Sequence, residues 1–121
     1  MDNELQEFWK KCLILEKNEN DYYWWYDNDD NLVCAGYERL PDLTLDNLFK
    51  YAVPKLKELG YACRVQSSPL RDNDTGKTIF RWHCYASVFY VRFDNIYSRN
   101  YDAFDEKPEH ALYQALRKVL L

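Results

Sequence analysis

TLDNLFKYAVPKLKELG, residues 44–60, is the stretch whose reading decides the fold. Its apolar residues are Leu45, Leu48, Phe49, Ala52, Val53, Leu56 and Leu59. That i, i+3, i+4, i+7 rhythm predicts one amphipathic helix. Thr44 suits the cap, Asp46 the positive end of the dipole, and Gly60 the left-handed stop. Pro54 lies inside, where it removes a backbone bond and bends the helix without interrupting its stripe. Such a helix needs an apolar surface to cover, and the aromatic stretches on either side supply it.

Working outward, Asn3 to Leu15 reads as a short helix with Leu5, Phe8, Trp9, Cys12 and Leu13 on one side. The polar run Lys17 to Asp21 ends it. DYYWWYDNDDNLVCAGY follows and reads as a β-hairpin: Tyr22 to Tyr26 and Leu32 to Tyr37 as strands, Asp27 to Asn31 as the turn. Glu38 to Leu43 is a loop. Beyond Gly60, Tyr61 to Gln66 is a short strand, and the Ser, Pro, Asp and Gly residues of Ser67 to Lys77 predict an exposed, flexible connection. Thr78 to Phe93 is the longest strand signal. Phe80, Trp82, Cys84, Ala86, Val88 and Tyr90 alternate there with Arg81, His83, Tyr85 and Ser87. Asp94 to Phe104 reads as irregular, with a short strand near Tyr97. Asp105 then caps a last helix whose stripe is Ala111, Leu112, Ala115, Leu116 and Val119. The expected architecture is a single α+β domain over residues 1–121, one antiparallel sheet of four or five strands covered by helices, in the order α-β-β-α-β-β-α.

Composition narrows the function. The 121 residues carry eleven tyrosines, four tryptophans and a formal charge of −4. No Lys/Arg run is present, so the electrostatic footprint of a duplex-DNA binder is missing. Cys12, Cys34, Cys63 and Cys84 form no C-x-x-C pair and read as reduced, buried small hydrophobes rather than as a four-thiolate zinc site. With no signal peptide and no membrane-length apolar run, the chain is expected to be cytoplasmic, in a bacterial host. The Asp27–Glu38 segment matches several calcium-loop positions, but Leu32 stands where that loop needs Gly and the flanks read as strands. No metal or cofactor is expected.

These elements resemble the phage ABA-sandwich domain, a family of small phage and prophage proteins. The resemblance is carried by the hairpin YYWWYDNDDNLVCAGY, the entry LPDLTLDNLFKYAVPKL, the strand RWHCYASVFY and the Ala-rich helix EHALYQALRKVL. It implies a phage or mobile-element setting. It brings no catalytic residues.

No catalytic constellation is read. His83 and Cys84 are strand neighbours and point to opposite faces, His110 falls in a helix's first turn, and Gly36, Gly60 and Gly76 are too scattered for a phosphate loop. The chain therefore reads as a non-enzyme acting by binding. The leading reading is a stoichiometric, anti-CRISPR-like inhibitor that evades host defence. Asp27, Asp29 and Asp30, with Tyr23 and Trp25 beside them, would meet the basic nucleic-acid-binding surface of a defence nuclease. The three aspartates are expected to tolerate reversal to lysine without loss of fold. The alternative is a single-stranded nucleic-acid module, in which Arg81, His83 and Tyr85 on a sheet face, helped by Arg64 and Arg92, stack bases and hold phosphates. A third reading is a self-associating accessory protein, and both monomer and homodimer fit the sequence.

Overall fold

The computed structural model describes residues 3–121, and in it the periodic stretch is one helix whose middle is not α-helical. Thr44 has extended backbone, and its Oγ1 accepts from the Asn47 amide at 3.1 Å. After Leu45–Asn47 comes a π-helical turn, Leu48–Ala52, in which the Val53 amide reaches back to the Leu48 carbonyl. The α-helix resumes at Val53–Glu58, with Pro54 in its first turn. A proline ring collides with the carbonyl four residues earlier, and the widened turn makes room for it. The far end closes as a Schellman motif: Tyr61 donates to Leu56, Gly60 donates to Lys57, and Gly60 has φ +88°.

Around this central helix the chain builds two sheets, not the single sheet expected. The N-terminal helix Asn3–Cys12 ends before Leu13, and Ile14–Lys17 is a strand, β1. β2 (Tyr22–Tyr26) and β3 (Leu32–Tyr37) keep the boundaries expected for them, and the first sheet runs β1-β2-β3, antiparallel. The second sheet is β4 (Ala62–Arg71), β5 (Thr78–Arg92) and β6 (Asn95–Asp105), also antiparallel in that order. The C-terminal helix is Pro108–Leu120. The order is therefore α-βββ-α-βββ-α.

The corrections have local causes. Residues 67–71 are strand rather than loop because β4 is an edge strand, where Pro69 loses no required ladder bond. Residues 95–104 are strand rather than irregular chain. Phe93 and Asp94 both take positive φ, 53° and 62°, and form a two-residue hairpin turn closing the Arg92↔Asn95 pair. Asp105 does not cap the last helix by its own position. Its Oδ1 accepts from Lys107, which stands at the N-cap.

One core draws on both sheets and all three helices. Phe8 and Trp9 from the first helix, Trp25 from β2, Leu48 and Leu56 from the central helix, Cys84 from β5, and Leu112 and Leu116 from the last helix are all fully buried. The C-terminal helix lies on β5 and β6. It covers the Cys84, Ala86 and Ala103 side of the second sheet. Among the described residues, no helix packs on the opposite side of that sheet.

Candidate functional site

The acidic turn is built by its first aspartate. Asp27 Oδ1 accepts from the amides of Asp29 and Asn31, both at 2.9 Å, and Oδ2 accepts from Asn31 Nδ2 at 3.2 Å. Asp30, at φ 64°, donates back to the Asp27 carbonyl. The Asn31 amide, helped by the other donors, holds the Asp27 carboxyl below the usual carboxylate range. Asp27 is thus committed to the turn, while Asp29 and Asp30 are exposed. Tolerance to lysine is expected of those two but not of Asp27.

The aromatics assigned to this site lie elsewhere. Strand alternation turns Tyr23 and Trp25 inward, and they are 6% and 0% exposed. Trp25 Nε1 donates to the Arg39 carbonyl at 2.8 Å, which ties the hairpin to the loop after β3. Tyr22, Trp24 and Tyr26 face outward instead. A groove of about 470 Å³ separates the turn from the central helix, with Asp27 and Asp29 on one wall and Lys50 and Lys55 on the other. Lys55 is paired with Glu58 at 3.3 Å.

The second surface is the uncovered face of the β4-β5-β6 sheet. Pairing in register sets Arg64 beside Tyr85, Gln66 beside His83, and Ser68 beside Arg81. On the other flank His83 meets Phe104 and Tyr85 meets Asp102. The side chains form a cross-strand network. Arg64 Nη1 donates to the Tyr85 hydroxyl at 2.8 Å, and the Tyr85 and His83 rings lie 4.9 Å apart. His83 stacks on Phe104 with centroids at 4.0 Å and planes 10° apart, and its Nε2 is 3.0 Å from Asp102 Oδ2. Ser87 donates to Asn100 at 2.6 Å. Four of the five residues read as a nucleic-acid face, Arg64, Arg81, His83 and Tyr85, are brought together. Arg92 is not: it sits at the hairpin tip on the other side by strand parity, its guanidinium 5.3 Å from the Phe93 ring.

Phe89 and Phe104 complete this face, 67% and 44% exposed, and sequence reasoning missed both. The signal was present in β6, where Ile96, Ser98, Asn100, Asp102 and Phe104 alternate with Tyr97, Arg99, Tyr101 and Ala103. Polar residues on both sides of an edge strand obscured it.

The cysteines remain free thiols. Burial pushes Cys12 and Cys84 up to about 12 and raises Cys34 and Cys63. Such thiols are poor nucleophiles. Among the described residues no three His, Cys, Asp or Glu side chains gather as a metal site, and no helix is long and apolar enough to cross a membrane. Comparison of the chain with protein-family models, with curated proteins and with solved structures finds no match.

Proposed function

We propose that this is a non-enzymatic, phage-type accessory protein that binds a macromolecule on the uncovered face of its second sheet. Single-stranded nucleic acid is the partner that the chemistry of this face favours. The observation carrying the reading is the gathering of Arg64, Arg81, His83, Tyr85 and Phe104 on one helix-free side. Planar rings accept unstacked bases without regard to sequence, and arginine adds phosphate contacts and cation–π attraction. Asp102, the acid on the central rows of this face, is already engaged by His83. A net charge of −4 is compatible with binding through a local face. Fluorescence anisotropy with labelled oligo(dT) and oligo(U) tests the reading. Binding that weakens with salt, and at least about tenfold in Phe104→Ala, is expected from the worth of one base–ring stack. Salt-independent or undetectable binding would overturn it.

A second reading rests on the exposed pair Asp29 and Asp30, held out on a rigid turn. This is the inhibitor reading, in which the acidic tip enters the basic channel of a host defence effector. Recovery of one effector from host lysate after nuclease treatment, lost in the Asp29→Lys/Asp30→Lys variant, would favour it over the nucleic-acid reading. A partner that disappears with nuclease would favour the open face.

A further inference from the structure

Pairing in register places three side chains in one row across the uncovered face: Arg64 on β4, Tyr85 on β5 and Asp102 on β6. Neighbouring strands lie about 4.8 Å apart, so the row carries a cation, a ring and an anion over about 10 Å. That is the order in which one unstacked nucleotide presents its phosphate, its base ring and its base edge. Beside the row lies a recess of about 230 Å³ lined by Gln66, His83, Tyr85, Asn100 and Asp102. It is smaller than the ~300 Å³ at which pockets for drug-sized ligands begin, which suits a single base. Its polar groups are held in place. His83 stacks on Phe104, and its Nε2 lies 3.0 Å from Asp102 Oδ2. A carboxylate only accepts, so Nε2 carries the proton of that bond, and Asp102 Oδ1 has no partner among the described residues. Lys118 donates to the Asp102 carbonyl and fixes the backbone there. Ser87 donates to Asn100 Oδ1 at 2.6 Å, which leaves the Asn100 Nδ2 hydrogens as donors. A carboxylate on such a face repels phosphate and helps binding only by accepting from N–H or O–H groups.

On the reading that the open face binds single-stranded nucleic acid, we infer that this row seats one nucleotide and that Asp102 selects guanine there. Guanine carries two adjacent donors on its Watson–Crick edge, N1–H and the N2 amine, with the O6 acceptor next to them. The carboxylate takes both donors: Oδ1 is free, and Oδ2 keeps a lone pair beyond the one used by His83. Asn100, two residues before Asp102 on the same side of β6, is placed to donate to O6. Thymine and uracil flank a single N–H with two carbonyls, which the carboxylate repels. Adenine and cytosine offer one amine beside a ring nitrogen that only accepts. Stacking against Tyr85 and Phe104 takes any base, so discrimination at this position comes from the base edge.

Fluorescence anisotropy of the full chain tests it, with labelled oligo(dT), the same oligonucleotide carrying one central guanine, and a third carrying inosine at that place. Inosine keeps N1–H and O6 but lacks the N2 amine. The guanine oligonucleotide is expected to bind at least about tenfold more tightly than oligo(dT), the worth of a hydrogen bond to a charged group. Inosine should fall between the two. In Asp102→Asn the amide oxygen still accepts from His83, but the group turned to the base becomes a donor. The guanine preference should then vanish while oligo(dT) binding is retained. The Asp102 side chain is half exposed, so the melting temperature of this variant should be nearly that of the wild type. Equal binding of all three oligonucleotides would overturn guanine selection and leave the open-face reading standing. A preference that survives in Asp102→Asn would overturn the role of Asp102. Binding of none of them would overturn the open-face reading itself, and guanine selection with it.

Discussion

The two three-stranded sheets of this protein use their aromatic residues in opposite ways. In the first, Tyr23 and Trp25 are driven inward and become part of the core, and Trp25 also satisfies its indole N–H on Arg39. In the second, the fully buried residues of the core side are small, Cys84, Ala86 and Ala103, with Trp82 packed partly against the core beside them, and the C-terminal helix lies over this side. Four further rings, His83, Tyr85, Phe89 and Phe104, stand on the open side. The same residue types thus hold the fold in one sheet and form an accessible surface in the other. Aromatic density alone does not locate a site; strand parity relative to the helices does.

The largest effect should come from cutting into the first sheet. Trp25→Ala is expected to destabilise the protein by about 3–5 kcal/mol in urea unfolding, because it opens a large cavity and orphans the Arg39 carbonyl. Tyr85→Ala, on the open side of the second sheet, should cost less than about 1 kcal/mol. Equal losses would mean that the two sheets do not differ in this way.

Thiol chemistry probes the core at the N-terminal helix, through Cys12, and at the second sheet, through Cys84. Because burial raises Cys12 and Cys84 to about 12, their neutral forms are favoured in the folded state. Their contribution to stability is fully present below the ordinary thiol value near 9 and is lost as pH rises toward 12. At pH 8 both should resist a disulfide reagent until urea unfolds the chain; rapid reaction of either in the native state would contradict the packed core described for them.

The smallest effect concerns the acidic turn. Asp27→Ala should lower the melting temperature at neutral pH, whereas Asp29→Lys/Asp30→Lys should leave it within a degree or so, as surface changes usually do. The Asp27 carboxyl is held low in the folded state, so its contribution is present above about pH 4 and fades as pH falls through the folded value. The Asp27→Ala variant should therefore lose less stability on acidification than the wild type.

Where local signals agreed, the fold was legible. The Thr44 cap, the Gly60 stop and the strands 22–26 and 32–37 follow from periodicity and turn chemistry that tertiary structure did not override. The second sheet was harder for a physical reason. Edge strands tolerate Pro69 and polar residues on both faces, so β4 and β6 carry the composition of loops, and the Phe93–Asp94 turn lacks the glycine that marks a hairpin. The strand Ile14–Lys17 was hidden because Ile14 and Leu15 continue the apolar run of the helix before them and Lys17 opens a polar one. For the candidate site, alternation along β5 placed Arg81, His83 and Tyr85 on one side correctly, but whether helices cover that side is a property of the assembled layers. Tyr23 and Trp25 were assigned to the surface because the parity of a strand cannot be read from a run of five aromatic residues.

Whether the second sheet's uncovered face is the binding surface can be tested by an amide NMR titration with a short single-stranded oligonucleotide. Saturable shifts confined to the rows around Arg64, Arg81, His83, Tyr85 and Phe104 are expected, with Asp29 and Asp30 unmoved. Shifts centred on the acidic turn, or none at all at millimolar ligand, would contradict that assignment.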